Sequence, residues 1–172
     1  MKGTIINCLE ELVKQKFGTE RWRLSLKIAG VPDSRIYSTF EDVPDREIHE
    51  LLQAVSEALD LPLDGVLEAF GEYWSTVYAP RVYQPYYAAA KSSRDLLLQL
   101  DYIHTVMTRS LKSARPPRFR YEWRGAKHLI MYYQSERGLA MLMPGLVRGV
   151  GRYYEEYLNV FVEGDAVHIQ FP

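Results

Sequence analysis

A single cysteine, Cys8, stands in the whole 172-residue chain, so neither an internal disulfide nor a multi-cysteine zinc site can form. A reducing cytoplasm fits that usage. No run of 18 apolar residues occurs, which leaves no membrane span to expect. The first turns carry Glu10, Glu11, Lys14 and Lys16 among their apolar positions and lack the uninterrupted core of a secretion signal. An excess of one charge is missing too. Lysine and arginine number 21 against 22 acidic residues, with no basic run, which argues against nucleic acid or an anionic membrane as the main partner. What the chain has in quantity is apolar and aromatic surface: 47% hydrophobic residues, with 13 tyrosines, six phenylalanines and three tryptophans. That is enough for a core and for a wide, flat-sided interior or pocket. The length suits one domain spanning 1–172.

Helical spacing rules the first two-thirds. Ile5, Leu9, Leu12, Val13 and Phe17 form a stripe closed by Gly18, and Thr19 can cap a short second helix with Trp22, Leu26 and Ala29 inward. A loop follows from Val31 to Glu41. Asp42 and Pro44 open a helix with Ile48, Leu51, Leu52, Val55 and Leu59 buried. Pro62 opens the next, with Leu63, Val66, Leu67, Phe70 and Trp74 on one side and Pro80 as its bound. Residues 80–91 read as an aromatic loop, after which Ser92 or Ser93 caps a helix containing Leu96 to Leu111. Beyond Pro116-Pro117 the period falls to two. Phe119, Tyr121 and Trp123 alternate with charged residues, Arg124-Gly125 turns, and His128 to Tyr133 returns as the hairpin partner. Leu139 to about Tyr157 reads as a helix that Pro144 can kink, and a last hairpin turns at Gly164-Asp165. The fold class is α+β: a helical N-terminal part packed with a small C-terminal four-stranded antiparallel sheet carrying one inserted helix.

One residue is out of place. Leu97, Leu100, His104, Met107 and Leu111 recur in steps of three and four, so the imidazole points where leucines point. A buried neutral histidine has one donor and one acceptor nitrogen to satisfy, by a polar side chain or by a metal, and the pattern leaves both open. The other three histidines, His49, His128 and His168, read as surface or edge residues. One histidine cannot hold a bare metal ion against water, but it can hold a haem iron, whose macrocycle already supplies four nitrogens. The propionates of such a group need charge-assisted donors. Tyr133, Ser135 and Arg137 offer three at alternate positions, which in an extended segment project to one face.

With these residues in view, the chain resembles the haem nitric oxide/oxygen binding (H-NOX) family. The resemblance runs from Met1-Lys2-Gly3-Thr4 through Phe70-Gly71-Glu72-Tyr73-Trp74, Leu100-Asp101-Tyr102-Ile103-His104, Arg115-Pro116-Pro117 and the Y-x-S-x-R segment, over essentially all residues. It implies haem b (iron protoporphyrin IX) buried between the helical part and the sheet, His104 as proximal ligand, and Tyr133, Ser135 and Arg137 on the propionates. Ile5 and Pro117 would press the macrocycle out of plane.

The resemblance also marks a distal pocket. Oxygen-binding members carry a tyrosine five positions after the motif arginine, supported by an asparagine and a tryptophan. Here these positions hold Leu142, Trp74 and Leu9, with Leu146 beside them. Leucine donates no hydrogen bond, although the Trp74 indole could turn one inward. The expectation is a ferrous five-coordinate sensor that binds nitric oxide and carbon monoxide and forms no stable oxygen complex. Nitric oxide would free His104 and its helix, with output through a sensor histidine kinase or a diguanylate cyclase in trans, because no catalytic domain follows Pro172. Two other classes stand beside it. A haem-free module of the same fold would use the aromatic cavity for an organic ligand. An enzyme, a haem peroxidase or nitric oxide dioxygenase, would need a distal histidine or arginine for acid-base work, and none is positioned there, so no catalysis is expected.

Overall fold

The structure, a computed structural model, describes residues 1–109 and 115–172. The chain forms two compact units, Met1–Phe70 and Gly71–Pro172.

The first unit is helical. α1 (Thr4–Phe17), α2 (Thr19–Ile28) and α3 (Asp45–Leu59) are followed by α4 (Leu63–Tyr73), which carries the chain into the second unit. Ile6, Leu9, Val13, Ile48, Leu51 and Val55 are almost wholly buried. The buried face of α1 is not quite the expected stripe, because Ile5 is only half-buried and Phe17 is 44% exposed. Thr19 does not cap α2; it is the first helical residue, and Gly18 at φ 90° takes the cap position. Left-handed φ is where glycine alone is unstrained, so one residue both ends α1 and reverses the chain. α3 starts after Pro44 and stops at Asp60, itself left-handed. Gly3 has a steric reason: a Cβ there would lie 2.1 Å from the Ser38 carbonyl oxygen.

In the second unit α4 runs on as a π-helical turn, Trp74–Tyr78, then α5 (Ala79–Val82), α6 (Gln84–Ala89) and α7 (Ser93–Thr108). The expected aromatic loop is therefore two short helices. Pro85 sits in the first turn of α6, where a missing N–H costs nothing, and Pro80, expected to bound the preceding helix, lies in α5 directly after the π-helical turn. Ser92 caps α7, its side chain accepting from the Asp95 N–H. The helix ends at Thr108, and Leu111 lies outside the described residues.

Strands β1 (Arg118–Trp123), β2 (His128–Gln134), β3 (Asn159–Glu163) and β4 (Ala166–Gln170) form one open antiparallel sheet in the order β1-β2-β4-β3. Between the hairpins lie a 3-10 turn, Ala140–Leu142, and α8 (Met143–Tyr153). Pro144 does not kink this helix; it occupies its first turn. Nor does the helix reach Tyr157, because Tyr154 ends it and Glu155 turns left-handed at φ 57°. The inner sheet face, with Phe119, Leu129, Met131, Val160, Val167 and Ile169, shares one core with Leu97 and Ile103 of α7 and Met143, Val147 and Val150 of α8. His168 is not the edge residue expected. It is 3% exposed, 3.0 Å from the His128 ring nitrogen and stacked on Phe161, so its neighbours across the strands bury it.

Candidate functional site

Along α7 the apolar stripe is graded. Leu96, Leu97 and Ile103 are buried, whereas Leu100, His104 and Met107 are half-buried. The His104 ring lies against Phe119 of β1, centroids 5.5 Å apart and planes 23° from parallel. Its Nδ1 is buried and has no hydrogen-bond partner, alone in this among the described residues. Burial holds the imidazole neutral, pushing its pKa from 6.5 down to about 4 against a smaller opposing effect of Asp101. A neutral ring carries a lone pair, and one of its buried nitrogens meets no protein group. That combination fits an axial metal ligand better than a core histidine, whose nitrogens are normally both satisfied.

Asp101, one turn before His104, ties this helix to the sheet. Its carboxylate accepts from Arg118 Nε and Nη2, both at 2.7 Å, and from the Phe119 N–H at 2.9 Å. The Arg118 guanidinium and then the Phe119 amide hold its pKa down to about 2. The same Phe119 faces Tyr133 across the β1–β2 register, ring centroids 6.0 Å apart. A chain of rings thus leads from His104 through Phe119 to the start of the three-donor motif. Asp101, Arg118 and Phe119 were assigned no role from the sequence. The available signal was an acid one helical turn from the histidine, with an arginine opening the strand that follows.

The motif itself is not extended throughout. β2 stops at Gln134, and the chain turns at Glu136-Arg137. Ser135 Oγ accepts from the Arg137 N–H at 3.3 Å, a local bond that serine offers the backbone in place of the ladder. Arg137 Nη1 donates to the Arg115 carbonyl at 2.7 Å, which brings the motif beside the segment holding Pro116 and Pro117. Tyr133, Ser135 and Arg137 are each half-buried, as is Pro117.

Elsewhere in the second unit, the 3-10 turn and α8 pass the last turn of α4 at backbone contact. A Cβ on Gly71 would lie 2.4 Å from the Leu142 carbonyl oxygen and 2.8 Å from the Leu146 nitrogen, and one on Gly149 would lie 2.7 Å from the Glu72 carbonyl oxygen. Leu142 and Leu146, both half-buried, therefore meet the segment that bears Trp74. The Trp74 ring stacks on Tyr78 at 5.4 Å and approaches Tyr83 at 6.1 Å. Ile5 and Leu9 stand on α1 of the first unit, half-buried and 1% exposed respectively.

Among the described residues no group of three or more His, Cys, Asp or Glu side chains could hold a bare metal ion, and no helix is long and apolar enough to cross a membrane. A neutral imidazole with an unmatched nitrogen, near a turn carrying hydroxyl and guanidinium donors, suits a haem-binding α+β domain. The chain matches the haem-NO-binding family over residues 2–162 and belongs to that family, the H-NOX haem-binding gas-sensor domains. Among solved structures it is similar to an oxygen-binding H-NOX domain related to soluble guanylate cyclases, with 25% identity, 99% of this chain and 95% of that one covered and a TM-score of 0.83. It is also similar to the I5F mutant of T. tengcongensis H-NOX, at 25% identity, 99% and 97% coverage and a TM-score of 0.86. An H-NOX protein from S. oneidensis shares the fold at 21% identity, 100% and 96% coverage and a TM-score of 0.89. No curated protein sequence matches the chain.

Proposed function

We propose that this H-NOX domain is a sensor of nitric oxide that also takes carbon monoxide and discriminates against oxygen. The carrying observation is the buried, unpartnered Nδ1 of a neutral His104. Haem b, when bound, would supply a ferrous iron that takes up a diatomic gas, and His104 would be the residue that holds the iron. His104 would be the proximal ligand, Tyr133, Ser135 and Arg137 would hold the propionates, and Ile5 and Pro117 are the residues the resemblance implies would bear on the macrocycle. Arg137 would exchange its bond to the Arg115 carbonyl for one to a carboxylate, and a charged acceptor makes the stronger bond.

Leu142, Leu146 and Trp74 are the gas-side residues of the second unit, and Leu9 is the residue the resemblance implies from the first. Oxygen bound to ferrous iron takes up negative charge and gains from a hydrogen-bond donor in a low-dielectric pocket, whereas nitric oxide and carbon monoxide depend on one far less. The Leu142 side chain has no hydrogen-bond donor, which supports the exclusion of oxygen. The domain turns over no substrate. Its output passes from the released His104 and its helix to a separate cytoplasmic protein, a sensor histidine kinase or a diguanylate cyclase.

Visible spectra of the purified protein test this, taken reduced, reduced with nitric oxide and reduced in air. A Soret band moving to the five-coordinate nitrosyl position, with no persistent oxygen complex in air, is expected. A colourless protein that cannot be loaded with haem, or a lasting oxygen spectrum, overturns it.

A further inference from the structure

The hydrogen bonds of α7 to the rest of its unit are unevenly placed. At its first turn the Ser93 hydroxyl donates to the Glu156 carboxylate. One turn on, the Tyr121 hydroxyl donates to the Leu97 carbonyl at 2.9 Å. Then comes Asp101, with its paired bonds from Arg118 and its bond from the Phe119 N–H. Past Asp101 the pattern stops. Thr105 and Thr108 donate only to carbonyls of their own helix, those of Asp101 and His104. Among the described residues, Tyr102 to Arg109 have no hydrogen bond or ion pair to another element. What holds this half is apolar: Ile103 in the core, Met107 packed beside it, and the His104 ring on Phe119. Apolar contact is non-directional and tolerates sliding, whereas the fork of Arg118 on Asp101 fixes both position and angle.

We propose that Asp101 is the fulcrum of α7, a positioning residue that keeps the first half of the helix on the sheet while the half bearing His104 moves. The inference rests on the reading of His104 as the haem ligand, and deepens it by saying where the motion stops. Detaching His104 frees Tyr102–Arg109 as a lever about two turns long and leaves Ser93–Leu100 in place. The fulcrum and the sensed contact are coupled, because Phe119 stacks on His104 through its ring and bonds Asp101 through its amide.

Hydrogen exchange on the full, haem-loaded chain tests the lever. In His104→Gly with free imidazole supplied, the haem stays ligated but the helix is cut loose. Exchange of the 102–109 amides is then expected to rise tenfold or more over wild type, with the 96–100 amides within twofold. Adding Asp101→Ala moves the boundary toward the N-terminus by about one turn. Arg118→Ala, which leaves the helix sequence intact, moves it the same way should Asp101→Ala fold poorly. A uniform rise from Ser93, no rise at all, or a boundary that ignores both substitutions overturns the fulcrum. Failure of the ligand reading looks different. Wild type and His104→Gly would then share one visible spectrum, with or without imidazole, while Asp101→Ala alone would still speed exchange at 98–101.

Discussion

At the scale of single residues, the site depends on two groups one helical turn apart whose ionisation is set in opposite ways. Burial keeps His104 neutral, and Arg118 keeps Asp101 charged. The sign for Asp101 follows from linkage. Its folded pKa is near 2, below the unfolded value of 3.8, so its contribution to stability is complete above about pH 4 and is lost as pH falls toward 2. With the Asp101 side chain 24% exposed and Arg118 59% exposed, solvent screening reduces that contribution to about 1 kcal/mol. Urea midpoints of wild type and Asp101→Asn between pH 5 and 2 should therefore converge toward the acid end; parallel curves would mean the pair does not stabilise the fold. On the proposed reading Arg137 bears on haem retention instead. Loss of a charge-assisted bond to a propionate, worth about 1.5–3 kcal/mol, should speed haem transfer from Arg137→Ala to an acceptor globin roughly 10- to 100-fold, and an unchanged transfer rate would remove Arg137 from the cradle.

At the scale of elements, the end of α4 meets the turn into α8 at backbone contact around Gly71. Backbone atoms cannot step aside as the end of a long side chain can, so Gly71→Ala, with its Cβ 2.4 Å from the Leu142 carbonyl oxygen, should cost about 2–3 kcal/mol in urea unfolding. A wild-type midpoint would mean the contact gives way cheaply. This contact is invisible in a sequence, where Gly71 is one glycine among 11. Periodicity did expose the elements whose side chains all face one way: α3, the stripe of α7, and both hairpins with their turns. It failed where a local signal has two readings. Pro80, Pro85 and Pro144 punctuate as breakers or open a first turn, and only the neighbouring packing decides. Tyr133, Ser135 and Arg137 have the spacing of a strand, but the chain turns at Glu136 and brings the arginine to the Arg115 carbonyl by another route. His168 alternates like a solvent-facing residue, and its burial comes from His128 and Phe161 on neighbouring strands, partners no local pattern contains.

At the scale of the whole molecule, the same fold accommodates an oxygen-binding H-NOX domain, so the backbone cannot by itself decide which gas is held. On the proposed reading the choice falls to side chains on the gas side, and Leu142 is the position that tests it. It ends the 3-10 turn, is half-buried, and its backbone is pinned against Gly71, so a replacement side chain starts from a fixed origin. A donor placed there costs little reorganisation, and a hydrogen bond to developing negative charge is worth most in a low-dielectric site. Leu142→Tyr should therefore give a reduced protein that keeps bound oxygen in air, with its visible spectrum persisting for many minutes, while the wild-type spectrum passes to the oxidised form without such an intermediate stage. Leu142→Phe separates the donor from mere bulk. It fills nearly the same volume without a hydroxyl and should behave as wild type toward oxygen while still taking nitric oxide. If tyrosine and phenylalanine act alike, or if neither holds oxygen, gas selection in this domain does not lie in a hydrogen bond from position 142.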